Sequence, residues 1–328
     1  MRTLAIFLAA SLHALVGPST DAQSNSAATA AATRTDVIVA RDGLVYVGQT
    51  GGMVIRDVSD PTRPVDLSWF PLPSTVSDIV IDESIAFLAA GTRGLVIADI
   101  SDPENPVERA RLDTDGKVKR IARAGKYMFL ADGVNGLLVV DLSSLDDPRI
   151  CARISTSGNL RAVAISGELL AIAEGHGGAR VFSLQRPDNP RELKRLDARF
   201  SARDVCWIED RLFVAAGSEG TAIYEPRTSA RPLMFLPPVR SAQYVTCSEN
   251  LLAVSNLGSA IQLFDVEDPP QERSRLRIHR SAPIGRAGFD GTRLWIATDV
   301  AGMGMLDVAD ADNPVRVLPR AREFKVNY

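Results

Sequence analysis

The chain has 328 residues, with 37 Lys and Arg against 40 Asp and Glu, a formal net charge of −3, and three cysteines. So even a charge balance excludes a surface built on a basic field, and with it a nucleic-acid partner. Three cysteines in a chain this long exclude a fold that depends on cystine staples. At the N-terminus, Arg2, an apolar stretch from Leu4 to Val16, the helix breakers Gly17 and Pro18, and small residues at Thr20 and Ala22 follow in the order of a secretory signal. Residues 1–22 are therefore expected to be removed after Ala22, the apolar run being too short to span a bilayer. The expectation is a periplasmic or secreted protein with no membrane insertion. Residues 23–35, Gln23 to Thr35, are mostly Ala, Ser, Thr and Asn and read as a flexible leader that cannot bury enough apolar surface to order itself.

From residue 36 to the end at residue 328 one pattern recurs: an apolar strand, a turn, a second apolar stretch, a Gly-rich loop, and a third strand that closes on an acid. The closing segments read GGMVIRDVSDP from Gly51, RGLVIADISDP from Arg93, NGLLVVDLSSLDDP from Asn135, GGARVFSLQRPDNP from Gly177, EGTAIYEP from Glu219, GSAIQLFDVEDP from Gly258 and AGMGMLDVADADNP from Ala301. Asp57, Asp99, Asp141, Ser183 and Glu225 are spaced by 42 residues, Asp265 follows at 40 and Asp307 at 42. A period this strict marks a repeat architecture.

In the second repeat, Ile79 and Ile81, then Ile85, Phe87 and Ala89, then Leu95 and Ile97, then Val107 and Ala110 mark four short β-strands, here lettered a to d. The a–b connections, among them Asp42-Gly43, Gly125-Lys126 and Gly291-Thr292, use residues that tolerate the positive φ of tight hairpins. A four-stranded sheet with two apolar faces is not stable alone in water, and packing seven of them radially buries both faces. The sequence thus predicts an all-β fold, a seven-bladed β-propeller of four-stranded antiparallel blades. The chain begins on strand a of blade one and ends on strand d of blade seven, and the alternation of Phe324, Val326 and Tyr328 offers a further edge strand to close the ring.

The repeats resemble the LVIVD repeat family of bacterial and archaeal proteins, best in Ser77 to Pro106 and Lys119 to Asp147 and over about Asp36 to Val317. The resemblance implies a β-propeller and says almost nothing about activity.

The Asp-Val-Ser-Asp-Pro corners put carboxylates two or three residues apart, a spacing that suits calcium. The pattern reads instead as Asp57, Asp99 and Asp141 accepting backbone N–H groups at a turn, so no metal and no cofactor are expected. Cys206 and Cys247 fall on strand a of adjacent repeats but one position out of phase, which argues for buried free thiols over a disulfide.

The d–a and b–c loops converge on one rim around the channel. Lys119, Arg120, Arg161, Arg203 and Arg286 lie there at the starts of strands a in four blades. Singly, each reads as an interblade ion-pair partner; together they read as the lining of a site for an anionic or sugar-like ligand. In Glu174-Gly175-His176-Gly177-Gly178 an acid and a histidine share a glycine-rich loop. The simpler reading is an exposed loop histidine, the catalytic one a base at His176 with Glu174 beside it. No nucleophile elbow, zinc motif or phosphate loop occurs. The chain is therefore expected to be a binding module for a protein, glycan or small anionic ligand, with a lyase or hydrolase acting at the channel as the alternative.

Overall fold

A computed structural model describes residues 35–197, 199–237, 241–256, 260–267, 270–277, 284–298 and 302–317. The expected signal segment, nearly all of the leader, and the closing strand expected at Phe324 to Tyr328 lie outside the described residues. Every regular element among the described residues is a β-strand, and the strands form the seven antiparallel blades of a β-propeller.

Blade two shows the repeat in full: β4 (Asp78–Asp82), β5 (Ile85–Ala89), β6 (Leu95–Asp99) and β7 (Val107–Leu112) follow one another across the sheet, innermost to outermost. The middle strands β5 and β6 are almost wholly buried because both of their faces are covered, whereas β7 is largely exposed. Blade one differs locally. After β1 (Thr35–Arg41), its second and third strands run on without a break as β2 (Leu44–Asp57), which pairs with β1 on one side and β3 (Val65–Thr75) on the other. The Val58 N–H donates to the Gly43 carbonyl at 2.8 Å, the same closing bond that Ile100 makes to Ser84 in blade two, so the hairpin is retained. Six of the seven a–b turns carry positive φ, including Asp42 (+53°), Glu83 (+48°) and Glu209 (+52°), which are not glycine; the blade-six turn at Glu249-Asn250, also expected to, does not.

The core is divided into seven clusters, one in each gap between adjacent blades. One of them joins Trp295, Ala297, Met303 and Met305 of blade seven to Ile38, Val45 and Val47 of blade one, so the last gap is as apolar as the others. The Arg286 N–H adds a bond to the Asp36 carbonyl at 3.0 Å. Among the described residues the ring therefore closes by packing, each blade being one uninterrupted repeat.

The structure corrects the cysteine expectation. Cys206 and Cys247 form a disulfide, with Cα atoms 5.9 Å apart, within the span such a bond requires. Being one position out of phase places them on opposite faces of their own sheets. In a radial stack, the forward face of blade five meets the backward face of blade six, so that phase difference is what a bond between blades needs. Cys151 is free; its Sγ donates to the Val139 carbonyl, and burial raises its pKa.

The Asp corners are turns, as expected. Ser59, Ser101 and Ser143 donate their N–H groups to Asp57, Asp99 and Asp141 at 2.7, 2.9 and 2.7 Å.

Candidate functional site at the rim where the inner strands begin

One set of backbone bonds fixes which residues are equivalent from blade to blade. The N–H groups of Ser77, Lys119, Arg161 and Arg203 donate to the carbonyls of Ala89, Ala131, Ala173 and Ala215 at 2.8–2.9 Å, and Gly285 does the same to Ala297 at 3.0 Å. These residues form an upper row at the channel mouth. The next residues, Asp78, Arg120, Ala162, Asp204 and Arg286, form a lower row, which Asp36 of blade one joins by the same 42-residue spacing. The five cations expected to line one site are thus split between two layers.

The lower row is an ion-paired cluster. Arg120 is only 5% exposed and pairs with Asp204, 1% exposed, and with Asp78 at 3.5 Å, while Arg286 donates to Asp78 at 3.0 Å. Ala162 stands at the equivalent place in blade four, and its small side chain lets Arg120 of blade three reach Asp204 of blade five. The two acids also take backbone N–H groups of the following blade: Ile121 donates to Asp78 at 3.0 Å and Val245 to Asp204 at 3.2 Å. Burial disfavours the Arg120 charge, but the Asp204 and Asp78 carboxylates outweigh it and raise the pKa. For Arg286, burial and then the Arg120 charge win, and its pKa falls. These interactions tie blades two, three, five and seven together and leave Arg120 little to offer a ligand.

The upper row is different. Lys119 Nζ donates to Asn159 Oδ1 at 2.6 Å, and Arg203 Nη1 donates to Gln243 Oε1 at 3.0 Å, so both cations meet neutral amides. Arg161 has neither a hydrogen bond nor an ion pair among the described residues, and the Nε atoms of Arg161 and Arg203 are buried without an acceptor. Burial, then the charges of Arg161 and Lys117, lower the Lys119 pKa. Each guanidinium lies against a glycine of its own b–c loop. A Cβ at Gly175 would come within 3.3 Å of Arg161 Nε, and one at Gly217 within 3.1 Å of Arg203 Nε. In blade seven the row is interrupted by Gly285, where a Cβ would lie 2.7 Å from the Thr35 carbonyl and 2.8 Å from that of Asp36. Ring closure thus removes the side chain there and confines the cations to blades three, four and five.

Two acids of the same rim turn inward, while Asp115 and Glu219 are exposed. Glu174 is fully buried; it pairs with Arg180 and accepts the Ser157 N–H at 2.9 Å. Asp132, the equivalent acid of blade three, is also fully buried, takes the Thr114 hydroxyl at 2.9 Å, and has its pKa raised by burial. His176 is exposed, and no hydrogen bond joins it to Glu174. The loop therefore separates the two candidate catalytic residues instead of bringing them together. His279, the other histidine of the repeats, lies outside the described residues. Among the described residues no group of three His, Cys, Asp or Glu side chains is placed to hold a metal ion.

Seven blades around a channel with a polar mouth define the molecule as a β-propeller. The crystal structure of the computationally designed Ika8 protein is similar, with a TM-score of 0.65 at 11% identity over 83% of this chain and 82% of that one, a likeness of fold alone. No curated protein matches the sequence. The family model of the LVIVD repeat matches residues 34–68, 74–114 and 115–156, so the first three blades are similar to that repeat.

Proposed function

We propose that the protein is an exported propeller that serves as a binding module, engaging a protein, glycan or small anionic ligand at the rim where the inner strands begin. The observation that carries this reading is the asymmetry of that rim: Lys119, Arg161 and Arg203 face no carboxylate, while Asp132 and Glu174 beside them are buried. Cations at the mouth of a channel with low-dielectric walls attract an anion more strongly than the same groups on an open surface. Export is supported by the order of residues 1–22 and by the Cys206–Cys247 bond, which suits an oxidising compartment. The alternative of a lyase or hydrolase draws less support, since Glu174 is held by Arg180.

Two measurements test the proposal. N-terminal sequencing of the protein from the extracytoplasmic fraction is expected to begin at Gln23; full-length protein confined to the cytoplasm would refute export. Binding to a panel of acidic and neutral glycans and peptides is expected to be lost in K119A/R161A/R203A and retained in R149A, whose exposed partner is Asp147 on the opposite rim. The reverse result would move the functional face.

A further inference from the structure

Resting on that assignment of the rim, we infer that its ligand is a compact oxyanion carrying two or more negative charges, held end-on by Lys119, Arg161 and Arg203 across blades three to five, and not a neutral sugar. The argument is an inventory of donors and acceptors. Lys119 spends one donor on Asn159 and keeps two. Arg161 keeps all its guanidinium donors, and Arg203 spends one on Gln243. The Asn159 carbonyl oxygen is taken by Lys119, and its amide nitrogen is a further donor. The Gln243 amide nitrogen is already committed to Ser241 at 2.9 Å, and its oxygen to Arg203. Asp132 and Glu174 are buried, and Asp78 and Asp204 serve the lower row.

These five side chains therefore present donors and no unpartnered acceptor, and the exposed acids of the rim, Asp115 and Glu219, stand on neighbouring loops. Sugar hydroxyls both donate and accept, and a site for them needs acceptors in reach; carboxylate, phosphate and sulfate oxygens only accept. Planar guanidinium groups match such oxygens in pairs, and charge-assisted bonds of this kind are about twice as strong as neutral ones. The lower row, crossed by Arg120 to Asp204 and by Arg286 to Asp78, lies one residue further along each strand and forms an ion-paired floor. A ligand thus sits at the mouth and does not thread the channel.

The test is isothermal calorimetry at constant ionic strength with citrate, pyrophosphate and the neutral trisaccharide cellotriose. Citrate or pyrophosphate is expected to bind one to one, the two probes separating carboxylate from phosphate recognition. Binding should weaken at least tenfold in R161A and in R203A, and again as salt rises, with unfolding midpoints unchanged. R161Q guards against a packing defect in R161A. Cellotriose binding that is lost in the same variants would overturn the oxyanion assignment while leaving the rim as the functional face. Absence of anion binding, or anion binding equal in parent and variants, would overturn the inference outright.

Discussion

Truncating Arg120 should be among the most damaging single changes at the channel, and truncating Arg161 among the least. Both are arginines at starts of inner strands, one residue apart in register. In R120A, Asp204, 1% exposed, keeps the Val205 and Val245 N–H groups at 2.9 and 3.2 Å but loses the one cation bonded to it among the described residues. Asp78 keeps Arg286 at 3.0 Å and the Ile121 N–H. Leaving one buried carboxylate uncompensated costs about 3–5 kcal/mol. In R161A no ion pair is lost and the repulsion felt by Lys119 is relieved, so the change should stay within about 0.5 kcal/mol. Urea unfolding followed by far-UV circular dichroism reads both. R120M/D204N, which removes both charges and retains an acceptor for the Val245 N–H, should recover most of the loss. An R120A variant as stable as the parent at neutral pH, or a double variant no better than R120A, would refute the account of the lower row as a structural tie.

At Gly136, φ is +84° and a Cβ would lie 2.3 Å from the Ile154 carbonyl oxygen, whereas at Gly125 φ is +56° and nothing stands within 4 Å. G136A should cost about 2 kcal/mol or more and G125A about 1 kcal/mol; equal thermal midpoints would show that the clash is relieved by backbone movement. Removing the Cys206–Cys247 bond in C206A/C247A opens a loop with a sequence separation of 41 and should cost up to about 4 kcal/mol on the chain-entropy model, while a parent protein unaffected by reductant would contradict it. The carboxyls of Asp99 and Asp141 are held below the usual range by the hydroxyls of Ser101 and Ser143 and then by their N–H groups, and that of Asp57 by the Ser59 N–H and then its hydroxyl. Their folded pKa values lie below the unfolded ones, so their contribution is complete above about pH 4 and is lost as pH falls through the folded values. Acid titration of D99N/D141N should show a shallower decline than the parent, and an unchanged curve would rule these corners out as a source of acid sensitivity.

The sequence by itself determined the blade, its strands and the number of copies. Strands β4 to β7 fall on the apolar runs that mark them, because alternation and turn residues act over a few positions and are written in consecutive residues. The repeat period also held a signal left unused: counted through the 42- and 40-residue spacings, Arg286 is in phase with Asp78, Arg120 and Asp204, and Lys119 with Arg161 and Arg203. What only the tertiary structure decided are relations between blades. Whether a phase difference of one separates Cys206 from Cys247 or joins them depends on which sheet faces meet. Whether Arg120 is a ligand contact or a tie depends on Ala162 leaving a path to Asp204, and Glu174 is withdrawn from the rim because Arg180 and the Ser157 N–H await it inside. Charges act through space over distances that the ring makes short and the sequence leaves long. The arc of Lys119, Arg161 and Arg203 therefore emerges as a distinct group of cations only once seven local motifs are closed into a circle.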